Sequence, residues 1–399
     1  MPVSCINALM NVVLVVANGW NTGWLGCYGN EWLQTPALDK FAAESIVYDR
    51  HFAIHPAPTE WTTALDLTGI VDSLHLTDSR HGSSPLPGSG TIRVEIADDA
   101  APGQAILDAV SRLPSMAGDK SRLLIVETDR LLPPWSVSLD YFDKYIESIS
   151  RDEGDDPPLP WDEPPIGPAD LSDREIERVQ ATYAAVVSEW DNDFNSLLQA
   201  FDRLLGNPVV VVTAGHGQSL TERGWVGPLA PAIHDEIGRV PLIVRFPDRR
   251  GGSRVPYLTA NRDVMPSIRY LLNPSTATPP IHLPGYPYLV QSLADGSRSL
   301  QTDEWTLVCR PNDTSRLYRK PEDRWEMQDL RTQHLEWAEY LETLLLECRI
   351  AAVPPALADY RQIVHGEETA DEYSPTDTGN DREPEGAGDL RGHQDNEED

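Results

Sequence analysis

The stretch NVVLVVANGW, Asn11–Trp20, constrains the fold more than any other part of the chain. Six apolar residues, Val12–Ala17, run without alternation and stop at an Asn-Gly pair. A strand with one wet face alternates apolar and polar residues, so an unbroken run predicts a strand buried on both faces, as in a parallel sheet covered by helices. The run is far short of the roughly 20 residues a membrane helix requires. No basic n-region or small-residue cleavage site surrounds it, so no signal peptide is expected.

Further runs of the same kind occur in RLLIVET (Arg122–Thr128), NPVVVVTAGHG (Asn207–Gly217) and RVPLIVRFP (Arg239–Pro247). Helical patterns lie between them. Thr35 is placed to cap a helix with Pro36 in its first turn and Leu38, Phe41 and Ala42 on one face. SIVYDRHF reads as a strand, Thr59–Gly69 as a helix stopped by glycine, TIRVEI as a strand and GQAILDAVSRL as a helix. Residues 150–171 are dense in proline and acid, which predicts an irregular excursion. The longest helical pattern is Ser172–Leu204, where Ser172 and Glu175 have capping-box spacing. Strands alternating with helices predict an α/β fold with a doubly wound, mostly parallel sheet. After about Val290, SRSLQTDEWTLVCRP and SRLYRK read as antiparallel strands, followed by an amphipathic helix. The expected organisation is an α/β domain over 1–290, a small C-terminal α+β subdomain over 291–365 and a disordered acidic tail over 366–399.

Net charge is −31, from 32 basic and 63 acidic residues. The tail holds 13 acidic and 2 basic residues, so the body is strongly acidic as well. Nucleic acid and anionic membrane select basic surfaces, and neither is expected as a partner. The four cysteines, Cys5, Cys27, Cys309 and Cys348, have no paired spacing. Reduced thiols in the cytoplasm are the expected state.

Four stretches, in this order, resemble the sulfatase family of the alkaline-phosphatase-like superfamily. NVVLVVANGWNTGWLGCYGNEWLQTPALDKFAAESIVYDRHFA is similar to the family's opening strand, Cys-Tyr-Gly loop and Thr-Pro-x-Leu-Asp helix. TALDLTG is similar to the end of its nucleophile helix. TAGHGQSLTERG with HDEIGRVPLIVRFP resembles its Asp-His-Gly-Glu-Ser-Leu segment and the strand that follows. TANRDVMPSIRYLL and LYRKPEDRWEMQDL resemble its late helix and C-terminal subdomain. The resemblance covers roughly residues 11–350. It implies an alkaline-phosphatase-like fold, ester hydrolysis and a divalent cation, usually calcium, held by carboxylates and an amide.

Position by position, the chain departs from that pattern. The family's Asp-Asp pair is Asn18 and Gly19 here, which by themselves read as an Asn-Gly turn. The acid of the Asp-His-Gly segment is Gly215. His216 stands at a ligand position, and read alone is a histidine hydrogen-bonded at a strand end. Nine residues before Thr68, the nucleophile position is Thr59, with Trp61 and Thr63 where the family has Pro and Arg. Conversion to formylglycine is therefore not expected. Threonine is the nucleophile of related phosphodiesterases, whereas read alone Thr59 caps its helix. The family's Gly-Lys-Trp-His-Leu-Gly stretch has no counterpart, since Lys120, His75 and His81 lie in other contexts. His234 reads as structural.

These departures predict a pseudoenzyme or binding module with no cofactor. The alternative is an active metal-dependent sulfate- or phosphate-ester hydrolase. It would use Thr59 and a relocated calcium or magnesium site drawing on Asp66, Asp235 or Glu222. A third reading is an interaction protein acting through the acidic tail.

Overall fold

The computed structural model describes residues 10–57, 73–78, 90–93, 108–113, 121–149, 156–248, 252–272 and 283–348, all within one compact unit, Met1–Pro354. The expectations for Thr59, Trp61, Thr63, Asp66, His81, Lys120 and the tail lie outside the described residues. The first strands are β1 (Val12–Ala17), β2 (Ile46–Phe52), β3 (Ser73–Thr77), β4 (Gly90–Arg93) and β5 (Leu123–Thr128). There follow β6 (Gly167–Pro168), β7 (Val209–Thr213), β8 (Ser219–Leu220), β9 (Trp225–Gly227), β10 (Leu242–Arg245) and β11 (Ser253–Ala260). The last four are β12 (Tyr288–Ser292), β13 (Arg298–Thr302), β14 (Trp305–Cys309) and β15 (Arg316–Arg319). The longer helices are α1 (Pro36–Ala43), α2 (Asp173–Leu205), α3 (Val264–Leu272) and α4 (Leu335–Glu347).

The main sheet has the order β11-β2-β10-β7-β1-β5-β3-β4, with β10 antiparallel to its neighbours and the other pairings parallel. The unbroken apolar runs have the expected cause. Val13 and Val15 of β1, Leu124 and Val126 of β5, and Val210 and Val212 of β7 pack into one core with α1 and α2. The intervening Val12, Leu14, Leu123, Ile125, Val209 and Val211 pack into a second core with Val264, Met265 and Ile268 of α3. Both faces are dry along these residues, and polar residues enter the strands only at their carboxyl ends, as Glu127 and Thr128 of β5 and Thr213 of β7. Truncating Leu14, fully buried, to Ala would cost about 2–5 kcal/mol.

Two helix starts show how local and long-range capping differ. At α2 the capping box is formed as expected: Ser172 N donates to Glu175 Oε2 at 2.8 Å and Ser172 Oγ accepts from Glu175 N at 3.4 Å. At α1, Thr35 makes no capping bond; its Oγ1 accepts from Gly26 N at 3.2 Å instead. The orphan N–H groups of Ala37 and Leu38 go to Asp191 of α2, at 2.9 and 2.8 Å. Burial raises the Asp191 carboxyl to about 6, against the two amides that favour its charged form.

Among its described residues the irregular excursion holds one short strand, β6, in a three-stranded sheet β6-β9-β8. The C-terminal sheet β12-β13-β14-β15 is wholly antiparallel and packs on α4 through Leu300, Leu307, Leu317, Leu341 and Leu345. A small apolar cluster of Phe52, Leu258, Ala260 and Leu289 links the two sheets. So does a buried amide seam. Gln291 Nε2 donates to Ala53 O at 2.7 Å and Gly238 O at 3.1 Å, and Thr306 Oγ1 donates to Gln301 Oε1 at 2.5 Å beside it. A Cβ on Gly238 would lie 2.3 Å from Gln291 Nε2, so the seam requires glycine there. Among the described residues no helix is long and apolar enough to cross a membrane.

Candidate functional site

β1 lies between β7 and β5, the place where the chain turns from one half of the sheet to the other. In open α/β sheets the crevice beyond the carboxyl ends at such a point is where ligands bind. Asn18, Asp129 and the segment Ala214–His216 follow the carboxyl ends of β1, β5 and β7. The two residues proposed from sequence as family ligand positions, Asn18 and His216, are thus brought to one end of the sheet.

Asn18 is 2 % exposed and fully engaged. Its Nδ2 donates to Asp129 Oδ1 at 2.9 Å and Glu127 Oε1 at 3.2 Å, and its Oδ1 accepts from Gly215 N at 3.2 Å. Two carboxylates on one side and an N–H on the other fix the orientation of the amide. The network extends outward. His75 Nε2 is 3.0 Å from Glu127 Oε2, while Asp78 accepts from Thr128 Oγ1 and Asp129 N, both at 2.9 Å. Arg130, also buried, pairs with Glu189. Glu127, Asp129 and Asp78 went unnoticed in the sequence, as did the role of His75. The available signal was LLIVETDR itself, where acids follow an apolar run as Asn18 follows Val12–Ala17.

Gly19 has φ +86° and no room for a side chain. A Cβ there would lie 2.6 Å from Leu132 Cδ2 and 2.9 Å from Gln218 Nε2. Its carbonyl accepts from Tyr183 Oη at 2.9 Å and Gln218 Nε2 at 3.0 Å. Two side chains, Leu132 and Gln218, therefore stand where a side chain at this position would begin. His216, fully buried, has Nδ1 2.8 Å from Gly217 O, which places the proton on Nδ1 and leaves Nε2 as the basic nitrogen. Gly217 is likewise fixed, since a Cβ would lie 2.0 Å from Glu236 O. Among Asn18, Gly19, Gly215 and His216 no side chain is anionic; the carboxylates at this end of the sheet are those of Glu127, Asp129 and Asp78.

A cleft of about 440 Å³ opens next to Asn21–Gly23, lined also by Glu222, Glu236, Arg324 and Trp325. Thr221 and Arg223, which line it, and the buried Glu326 between Trp325 and Met327 have φ of 84°, 56° and 54°. Positive φ is costly, most of all for a β-branched residue, and persists only where surroundings impose it. Arg223 Nη2 ties the two sides together, donating to Trp325 O at 2.9 Å and Glu326 O at 3.0 Å.

Behind this cleft His234 does more than fill space. Its Nδ1 lies 2.6 Å from Glu326 Oε2, and His234, Glu236 and Glu326 have ligand atoms within 4.8 Å of one another. Burial alone would raise Glu326, but His234 and the Lys320 ammonium 3.0 Å away hold its carboxyl down to about 2. Burial, with Glu222 and Glu326 nearby, pushes Glu236 up to about 8 against the pull of Arg223. With Lys320 and Arg223 already on these acids, the cluster is a balanced ion network rather than a cation site. Asp235 and Glu222, considered as substitutes for the missing acids, bond elsewhere. Asp235 pairs with Lys320 at 3.1 Å, and Glu222 accepts from Ser219 Oγ at 3.1 Å.

No family model matches the chain. Over 59 residues it is 42% identical to arylsulfatase D of Homo sapiens, covering 15% of this chain and 10% of that protein. Over 59 residues it is also 42% identical to steryl-sulfatase of Mus musculus, covering 9% of that protein. The matched stretch thus spans about a tenth of these relatives. The fold is similar to that of the phosphonate monoester hydrolase of Silicibacter pomeroyi, with TM-score 0.64, 15% identity and coverage of 88% of this chain and 97% of that one. The corresponding enzyme of Agrobacterium radiobacter gives TM-score 0.60 at 15% identity, over 85% of this chain and 96% of that one. A 2-O GAG sulfatase gives 0.59 at 14% identity, over 89% and 92%. The chain therefore has the alkaline-phosphatase-like α/β fold of sulfatases and phosphonate monoester hydrolases, with a stretch of sulfatase-like sequence.

Proposed function

We propose that this sulfatase-like chain is a binding module in which a closed hydrogen-bond network stands where sulfatases hold their cation. The observation that carries the reading is Gly19, where Leu132 and Gln218 crowd the position of a Cβ and Tyr183 and Gln218 hold the carbonyl. The acid-rich composition supports a partner that is neither nucleic acid nor anionic membrane. The test is thermal denaturation of the whole chain with calcium, magnesium, manganese and zinc, each against a chelator, alongside assays with aryl sulfates and aryl phosphonates. The expected result is no metal-dependent rise in Tm and no hydrolysis, because a cation that binds only the native state must stabilise it. Hydrolysis abolished by Thr59→Ala would overturn the reading.

One observation favours a second reading, an ester hydrolase with a relocated cation. Glu127 Oε1 and Asp129 Oδ1 both lie within hydrogen-bond reach of Asn18, and His216 keeps the nitrogen tautomer that ligates. In that case one metal raises Tm, and Glu127→Gln and Asp129→Asn abolish the rise.

A further inference from the structure

A second cleft, of about 480 Å³, lies between the edge of the main sheet and the C-terminal sheet. Arg50, Arg239, Arg254, Lys320 and Arg324 line it together with Asp49, Asp235 and Asp303, in a chain where acids outnumber bases almost two to one. Most of these charges are accounted for. Arg50 pairs with Asp303 at 3.0 Å, and Arg254 with Asp49. Lys320 lies 3.1 Å from Asp235 and 3.0 Å from Glu326. Two guanidinia are left with too little negative charge. Arg239 gives its Nε to the backbone carbonyl of Asp49 at 3.0 Å, and its carboxylate, Asp235, is 3.6 Å away and shared with Lys320. Arg324 donates to the carbonyl of Tyr28 at 3.2 Å and has no carboxylate in ion-pair range among the described residues. Burial, and then the charge of Arg239, lower the Arg324 guanidinium from its ordinary value. Guanidinium is weakly hydrated and presents paired N–H donors that match oxyanion geometry, which suits two neighbouring guanidinia in one cleft to such a group.

We propose that this cleft binds a multiply charged oxyanion, sulfate or phosphate, between Arg239 and Arg324. The walls beside them, Tyr28, Phe52 and Pro321, leave space for an organic group carrying the anion. The site does not depend on the strand-end pocket, and stands whether or not that pocket hydrolyses an ester.

The experiment titrates the full chain with sodium sulfate, sodium phosphate, phenyl sulfate and phenyl phosphate. Sodium chloride at matched ionic strength is the reference, and both Tm and isothermal calorimetry are read. A saturable rise is expected, about 3 °C at ten times Kd. Affinity should fall at least tenfold in Arg324→Gln and less in Arg324→Lys, which keeps the charge but loses the fork. The distant surface variant Arg310→Gln should bind as the parent does. Tighter binding of the phenyl esters identifies an anion carried on an organic group, and equal binding a free ion. Sulfate also stabilises proteins by exclusion from their surface. A rise that chloride reproduces, or that Arg324→Gln and Arg324→Lys both retain in full, would therefore overturn the proposal.

Discussion

The pocket beyond β1 and β5 and the arginine cleft between the sheets treat buried charge differently. In the pocket, Asn18 binds Glu127 and Asp129 on one side and Gly215 on the other, and His75 completes Glu127. In the cleft, Arg239 and Arg324 reach mainly backbone carbonyls, and the one carboxylate near Arg239 is shared with Lys320. A buried polar group is costly unless paired. A network that pairs its members asks nothing of a ligand, whereas an excess of one charge does. At the strand ends Asn18 is bonded on both sides, while Nδ1 of His75 and Oε1 of Gln218 are buried without a hydrogen-bond partner among the described residues; the surplus of guanidinium lies at the sheet junction.

Four experiments would break or sharpen this contrast. The largest effect is expected from Asn18→Asp, which swaps the shared donor for a third carboxylate beside Glu127 and Asp129. Leaving buried charge uncompensated should cost about 3–5 kcal/mol, read as a lower urea midpoint. If calcium fully restored the parent midpoint, the pocket would be a latent cation site and the contrast would fail. Next comes Gly19→Ala, where a positive φ and a Cβ 2.6 Å from Leu132 act together. A loss of about 2–4 kcal/mol is expected, and an unchanged midpoint would mean the pocket is less filled than its geometry indicates. Asp191→Ala leaves the first amides of α1 without acceptors and should cost about 1–2 kcal/mol. That loss checks that an ordinary capping defect, away from both sites, is smaller than either pocket change.

The smallest effect is one of pH. Glu236 has a folded carboxyl raised to about 8 from an ordinary 4.5, so the folded state holds its proton longer than the unfolded chain does. Its contribution is complete below about pH 4.5 and is lost as pH rises through 8. Glu236→Gln should flatten the decline in urea midpoint between pH 5 and pH 9, and an equal slope in both proteins would refute the assignment.

The apolar runs made the sheet legible, because burial on both faces leaves a continuous signature within a few residues. The Ser172–Glu175 box was legible for the same reason, both partners being local. The Thr35 cap was not, because Asp191, which replaces it, lies more than 150 positions away. Of the candidate site, Asn18, Gly19 and His216 are singled out by the resemblance to the family's ligand segments, whereas read alone they are a turn and a strand-end histidine. Glu127 and Asp129 read only as strand-end polarity, and nothing in their spacing marked Asn18 as their partner. The arginine cleft draws on residues from Arg50 to Arg324 and has no linear signature at all.

The amide seam of Gln291, Gln301 and Thr306 has a consequence for association. Directional bonds, added to the apolar contact of Leu289 with Phe52 and Leu258, hold the C-terminal sheet in register with Ala53 and Gly238. The two walls of the cleft then stand at a set distance before anything arrives. Little ordering free energy is lost on binding, and affinity follows how well the guest's size matches that fixed gap. Selection there would act by ruler rather than by closure.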